Sequence, residues 1–482
     1  MGRGLVLEGA RVVVAGLGLS GRAAVAALAE RGARLTTVDA RAAAADAADS
    51  AEFVAAGGLD ATDLVVASPG WAPADALLVG ALARGIPVWS EVELAWRLRV
   101  PRAGGAGPAP WLAVTGTNGK TTTVGMLESI LAAAGERALA VGNVGTPVVQ
   151  AATDPALDVL AVELSSFQLH FTHTMSAQAA AVLNLAPDHL DWHGSYEAYT
   201  ADKARVYERA EVACVYNVGD PQTERLVRDA DVTDGALAVG FTLGAPRVGQ
   251  LGLVEDVLVD RAFDLRRHTH GVELADLTDL THVSDSATAA DVPPHVVANA
   301  LAAAGLALAH GVPPEAVRAG LRAYTPGSHR IQTVATRDGV AYVDDSKATN
   351  AHAAAASLAA YREGSVVWVA GGLAKGATFD ELVLARRDRL HAVVLVGVDQ
   401  EPLRVALSRH APEVPVVAVD PRDTGAVMTR AVELARRLAR PGDTVLLAPA
   451  CASMDQFTSY AERGNDFAAA ARGLGPRAGT TT

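Results

Sequence analysis

The chain has 482 residues, too many for one hydrophobic core, and half are apolar while only a fifth are charged, so several folded domains are expected. A net charge of −13 implies no basic face, which argues against a nucleic-acid partner, although local lysines and arginines can still hold anionic substrates. Cys214 and Cys451 lack metal-ligand spacing and read as two buried thiols in a reducing cytoplasm. No run reaches membrane-span length, and the first nine residues lack a signal peptide's apolar core. The expectation is a cytoplasmic monomer without membrane insertion, ending from Gly473 in a loose polar tail.

In chain order, residues 11–16 read as a strand running into Gly16-Leu-Gly-Leu-Ser-Gly21, followed by a helix through Arg31. Asp39 closes the next strand, which completes the pattern of a dinucleotide site. The same helix N-terminus suits another diphosphate, such as a UDP-sugar, and the glycines could also serve helix–sheet packing alone. Taken by itself the motif leans to NAD. Strands follow at 63–68, before Pro69-Gly70, and at 86–89. Residues 101–110, glycines and alanines between prolines, read as a linker.

The next stretch organises the rest. Leu112 to Val114 reads as a buried strand, Gly116-Thr117-Asn118-Gly119-Lys120-Thr121 turns the chain, and a helix runs on from there. Glycines let backbone N–H groups converge on an anion, Lys120 adds a point charge, and Thr121 offers a hydroxyl to Mg²⁺. The full Walker pattern would put a glycine where Val114 stands. Residues 158–163 form a strand ending in Glu163, well placed for Mg²⁺ or to cap the helix after Ser165-Ser166. A strand at 179–185 leads into Pro187-Asp-His189-Leu-Asp191, a candidate metal or phosphate contact. Lys203, flanked by Tyr199 and Tyr207 four residues either side, reads as a solvated surface lysine. Residues 236–292 read as short strands inserted in the same domain. An alanine-rich helix follows, led by His295 and containing Asn299. Pro326-Gly-Ser-His329-Arg330 marks a second boundary.

Strands at 340–343, 366–370, 393–396, 416–419 and 444–447 then alternate with helices. Their turns carry Asp344-Asp345-Ser-Lys347-Ala-Thr349-Asn350, Gly371-Gly-Leu-Ala-Lys375, and Pro449-Ala-Cys-Ala-Ser453-Met-Asp455-Gln-Phe. All lie after strands, so all should face one sheet edge and form a binding cleft. The fold class is therefore α/β in three domains, 1–105, 106–326 and 327–482. Each is expected to be a doubly wound Rossmann-like or P-loop-type sheet with flanking helices. A P-loop, a Mg²⁺ carboxylate and the cations Lys120, Arg330, Lys347 and Lys375 fit phosphoryl transfer to an acceptor. No Cys-His or Ser-His-Asp pairing indicates a covalent enzyme intermediate.

Five blocks in order resemble the Mur ligase family: Gly-Thr-Asn-Gly-Lys-Thr (116–121), Glu-Leu-Ser-Ser-Phe-Gln-Leu (163–169), Asn-Leu-Ala-Pro-Asp-His-Leu-Asp (184–191), Asp-Asp-Ser-Lys-Ala-Thr-Asn (344–350) and Pro-Ala-Cys-Ala-Ser-Met-Asp-Gln-Phe (449–457). The resemblance spans nearly the whole chain. It implies an ATP-dependent ligase of cytoplasmic peptidoglycan precursor synthesis, adding D-glutamate to UDP-N-acetylmuramoyl-L-alanine through an acyl phosphate. It reassigns the first glycine turn from dinucleotide to uridine diphosphate, with Leu19, Ser20, Asp39, Arg41, Gly70, Asn143 and Ser165 on the precursor. ATP falls to the loop residues 116–121 with Thr122, and to Asn299, Arg330 and Asp345. The resemblance implies Mg²⁺ at Thr121, Glu163, His189 and a carbamylated Lys203, because a free ammonium cannot ligate metal. D-glutamate falls to Lys347, Thr349, Lys375, Ser453 and Tyr460. Lys120, Glu163, His189, Lys203 and Lys347 are the implied catalytic set. Where the family often reads His-Asn, this chain has His295-Val296, and Tyr460 replaces a commoner Phe. Competing readings are a sister ligase or folylpolyglutamate-type enzyme with another acceptor, and an NAD-dependent oxidoreductase resting on residues 16–21 alone.

Overall fold

Runs of valine, leucine and alanine between glycine turns form three separate, mostly parallel sheets, and their continuous burial is what strands covered on both faces require. The computed structural model describes residues 6–475 apart from Ala106, Asp285, Ser328, Asp423 and Thr424. Of the C-terminal tail, residues 476–482 lie outside the described set.

The first sheet holds β1 (Arg11–Ala15), β2 (Arg34–Val38), β3 (Leu64–Ala67) and β4 (Val88–Ser90) in the order β2-β1-β3-β4, all parallel. The second holds β5 (Trp111–Thr115), β6 (Ala138–Gly142), β7 (Val159–Glu163), β8 (Ala179–Val182), β9 (Ala213–Asn217), β10 (Leu237–Phe241), β11 (Gln250–Val254), β12 (Val257–Asp260) and β13 (Val272–Asp276). Its order is β13-β12-β11-β10-β9-β8-β5-β7-β6, with only β12 and β13 antiparallel to their neighbours. The third holds β14 (Gln332–Arg337), β15 (Val340–Asp344), β16 (Val366–Gly371), β17 (Leu390–Val396), β18 (Val416–Ala418) and β19 (Thr444–Leu447), ordered β14-β15-β19-β16-β17-β18 with β14 antiparallel. Strand order reverses beside β1 and beside β5, and such switch points open the crevices in which ligands of parallel sheets bind.

One departure from the sequence reading has a local cause. β8 stops at Val182 because Leu183 and Asn184 turn to bond the strand end and loop at Thr115 and Thr117. The strands from β10 onward, read as inserted in the same domain, continue its central sheet, β10 lying parallel on β9 and β11 on β10.

The chain divides into two compact units, Met1–Asp276 with Ala298–Tyr324, and Leu277–Val297 with Thr325–Thr482. Inside the first unit one apolar core is shared by the first two sheets: Val12, Val14, Leu64 and Trp89 join Trp111, Val148, Leu160 and Met175. Polar ties reinforce the join at the helix Glu91–Leu98. Ser90 Oγ lies 2.9 Å from Thr172 Oγ1, and Glu91 Oε1 accepts the Val149 N–H at 2.7 Å. Glu93 accepts the His173 and Thr174 N–H groups at 2.8 Å each and the Thr174 hydroxyl at 2.6 Å. Burial pushes the Glu91 carboxyl up to about 7, and its second oxygen has no hydrogen-bond partner. In the second unit two cores line the faces of the third sheet, around Trp368 and Phe379 on one and Tyr342 and Phe467 on the other. Among the described residues no helix is long and apolar enough to cross a membrane.

Candidate active site

β5 delivers the chain into the phosphate loop, and the helix Lys120–Ala133 leaves it with the helix N-terminus at the loop, the end that favours an anion. Gly119 sits at φ +86, and a β-carbon there would run into the Asn299 carboxamide oxygen, so glycine is required. Asn299 thus lies against the loop. The loop after β8 staples it from the other side: Asn184 Oδ1 accepts the Asn118 N–H at 2.9 Å, and Asn184 Nδ2 donates to the Asn118 carbonyl at 3.1 Å. Lys120 Nζ donates to the Gly116 and Thr117 carbonyls, 2.9 Å each. Thr121 and Thr122 are half-buried in the first helical turn.

Beneath the loop lies Lys203, which the sequence reading placed in solvent. The structure corrects this: Lys203 is 2 % exposed, and its Nζ donates to the Gly116 carbonyl at 2.8 Å. Burial drives its pKa well below the usual lysine range, with the neighbouring Lys120 charge acting in the same direction. Tyr199 covers it, ring centroid 4.7 Å from Nζ, while the tyrosine hydroxyl meets Thr117 Oγ1 at 2.9 Å. Tyr207 is buried as well and donates to the Val215 carbonyl at 2.6 Å. A lysine flanked on one helix face by two tyrosines was the available sign of burial.

Glu163 ends β7 buried. Ser165, not Glu163, caps the helix Ser166–His170, through a capping box with Gln168. Asn143 Nδ2 donates to Glu163 Oε1 at 2.9 Å, so the residue assigned to the precursor is spent at least in part on holding this carboxylate. Glu163 Oε2 is buried with no partner. His189 takes a left-handed φ of +53, with its ring edge-on to Phe167 at 4.7 Å and 3.7 Å from Asp188. Among the described residues no three His, Cys, Asp or Glu side chains form a metal nest. The expected metal set draws only two of its members from those types.

At the first glycine turn, Asp39 is held by backbone donors. Its carboxylate accepts the Leu17 N–H at 2.7 Å and the Arg41 N–H at 2.8 Å, and these bonds, Leu17 foremost, hold its pKa below the usual range. A β-carbon on Gly21 would strike the Gly16 carbonyl, so that glycine serves close packing. Leu19 is 59 % exposed at the mouth of the turn. Ser20 is half-buried, and Arg41 and Gly70 are exposed.

In the second unit the three predicted turns do meet at one sheet edge. Leu373 and Ala452 exchange backbone hydrogen bonds, joining the Lys375 turn to the Ser453 turn. Lys347 Nζ lies 4.1 Å from the Tyr460 ring centroid. Thr349 is half-buried beside Lys347, Ser453 is buried, and Lys375 adopts φ +51. Burial pushes the Asp345 carboxyl up to about 7 against the pull of Arg330. Sequence reasoning missed two residues here. Arg463 is buried and donates to the Ser346, Cys451 and Gly371 carbonyls at 3.1, 3.1 and 3.5 Å, tying all three turns together. His329 Nδ1 bonds Asp344 Oδ2 at 2.7 Å. Val296, where the family often has Asn, is buried, and burial next to His352 lowers His295 to about 4. Cys214 and Cys451 are both free and buried, as expected.

A glycine-lysine-threonine loop at the switch point of a largely parallel sheet defines a P-loop α/β protein. Comparison with known proteins narrows this. Residues 10–90 match the MurD-like N-terminal domain of Mur ligases, 114–307 the Mur ligase middle domain, and 329–451 the Mur ligase glutamate ligase domain. The UDP-N-acetylmuramoylalanine–D-glutamate ligase of Streptomyces coelicolor is 59 % identical over 479 residues, covering 97 % of this chain and 99 % of that protein. The enzyme of that name from Thermobifida fusca is 54 % identical over 486 residues, covering 97 % and 99 %. The chain belongs to the Mur ligase family. Solved structures share the fold, among them the MurF ligase from Thermotoga maritima in complex with ADP (TM-score 0.55, 16 % identity, 90 % of this chain and 93 % of that one). A pseudomurein peptide ligase from Methanothermus fervidus is another (TM-score 0.55, 18 % identity, 91 % and 96 %).

Proposed function

We propose that this chain joins D-glutamate to UDP-N-acetylmuramoyl-L-alanine with ATP, the activity carried by its relatives' names. The terminal carboxylate of the alanyl precursor attacks the γ-phosphorus, giving an acyl phosphate and ADP. The D-glutamate amine then attacks the acyl carbon, and the tetrahedral intermediate expels phosphate and sheds a proton to leave the amide. Activation supplies a leaving group that a bare carboxylate lacks, and preorganised cations stabilise the charge that develops.

The observation that carries this reading is the pairing, under the phosphate loop, of Glu163 with a bare buried oxygen and Lys203 with a buried amine. A buried carboxylate oxygen without a donor fits a cation. Glu163, the Thr121 hydroxyl and the His189 ring are the groups that would hold Mg²⁺, which when bound screens the phosphate charge. Burial lowers the lysine pKa, and the neutral amine it favours is the form that adds CO₂. The resulting carbamate presents oxygens where an ammonium presents none. Lys120 would lie along the β- and γ-phosphates, and the turn 16–21 would hold the uridine diphosphate. Asn299, Arg330 and Asp345 are assigned to ATP, and Lys347, Thr349, Lys375, Ser453 and Tyr460 to D-glutamate. The reading keeps three functional modules bounded near 105 and 326, in a cytoplasmic monomer whose reduced Cys214 and Cys451 suit that compartment.

The test is phosphate release from ATP and the UDP-muramoyl-alanine precursor across a panel of amino acids. Product with D-glutamate and none with L-glutamate or diaminopimelate is expected. Turnover with L- but not D-glutamate would refute the assignment and favour a sister ligase.

A further inference from the structure

The helix Tyr196–Ala204 carries, one residue before Lys203, a buried aspartate that the chemistry above does not use. Both oxygens of Asp202 lie 2.9 Å from His170 Nδ1, and Oδ2 also lies 3.0 Å from His193 Nδ1. His193 reaches Ser166 Oγ at 2.9 Å through its other nitrogen, and its ring stacks on Phe167 with centroids 5.5 Å apart. Phe167 is the ring that His189 meets edge-on. One carboxylate therefore links the segment following Glu163, the short helix following His189, and the helix bearing Lys203. The link lies at the helix end: the α-helix stops at Ala204 and tightens into a 3-10 turn, Arg205–Tyr207.

We propose that Asp202 is a positioning residue: clamped between His170 and His193, it fixes the last turn of its helix so that the Lys203 amine is delivered beneath the phosphate loop, in register with Glu163 and His189. Lys203 reaches the loop on a long stem, and its use depends on where its Cα is held. A main-chain shift of about an ångström at such a position is enough to cost on the order of a hundredfold in rate. The inference deepens the ligase reading and rests on its assignment of Lys203.

The experiment equilibrates the whole protein with ¹³C-bicarbonate and follows the carbamate carbon, assigned by its loss in Lys203→Ala, alongside kcat and the three KM values. Asp202→Ala is expected to lower the carbamate signal tenfold or more and kcat by at least as much, with each KM within about threefold of wild type. Asp202→Asn, which keeps the shape and one acceptor oxygen, is expected to recover most of both. An undiminished carbamate signal in Asp202→Ala overturns the proposal. If Asp202→Ala does not fold, His170→Gln and His193→Gln, each removing one imidazole, carry the same test. A wild-type protein with no Lys203-dependent signal sinks the carbamate itself. The proposal is then decided by turnover, where a kcat loss restored by Asn supports it and an unchanged kcat defeats it.

Discussion

An ammonium ion is hard to keep where Lys203 is held, because the site is buried and a second lysine, Lys120, lies beside it. Its replacement by alanine is expected to lower ADP release by a factor of about 10³ or more, the scale seen when one preorganised electrostatic group is lost. Added bicarbonate should fail to restore that variant, and near-normal turnover would show the lysine to be a spectator. Glu91 gives a different residue-scale test. Its folded-state pKa of about 7 lies above the ordinary glutamate value, so the folded chain keeps a proton that the unfolded chain gives up. The group's contribution is complete at pH values below the ordinary pKa and is lost as pH rises through about 7, by about 1–3 kcal/mol. Glu91→Gln should therefore raise the melting temperature more at pH 8 than at pH 5, and a difference independent of pH would contradict the assignment. Residues announced by motif, such as Lys120 and Glu163, were legible in the chain. The burial of Lys203 and Arg463 was not, because long-range packing and not local pattern buries them; for Lys203 the family resemblance alone implied a role. Among local signals, only the tyrosines at 199 and 207 hinted at the burial of the first.

At the scale of elements, most strands were readable because buried parallel strands are plain apolar runs bounded by glycine. β14 was missed: Gln332–Arg337 alternates too little to announce an antiparallel edge. The end of β8 was misjudged since its last apolar residues serve the phosphate loop. The fingerprint at 16–21 was read correctly as a strand–turn–helix, yet its ligand could not be read from glycines that serve packing. Asp39, tied to backbone N–H groups, carries no ribose signature either. Packing also sets a constraint on the phosphate-loop helix. Gly320 of the helix Pro314–Ala323 touches it so closely that a β-carbon would fall on the Ile130 backbone, and Ser129 Oγ donates to the Gly320 carbonyl at 2.7 Å. Gly320→Ala is expected to destabilise the protein by about 1–3 kcal/mol. Denaturant titration measures this, and an unchanged midpoint would mean the two helices separate freely.

For the whole molecule, the fold has three sheets, and what joins the first two goes beyond the linker between them. Composition and linker signals suggested cuts near 105 and 326, and such signals carry no record of the side chains packed across a cut. The first two sheets close over one core, with Ser90, Glu91 and Glu93 sewn to Thr172, Val149 and Thr174 across the join. A chain starting at residue 106 would bare Trp111, Val148 and Met175 to water, an apolar patch of the kind that drives aggregation. Such a truncation is expected to be recovered mainly as insoluble material or as a dye-binding, loosely packed state, and a monodisperse, cooperatively melting fragment would contradict this. The amino-terminal sheet is thus wedded to its neighbour. Grafting a foreign sheet in its place would mean redesigning both surfaces at once; on the proposed reading, new substrate heads arise by altering loops such as 16–21 and not by exchanging the sheet whole.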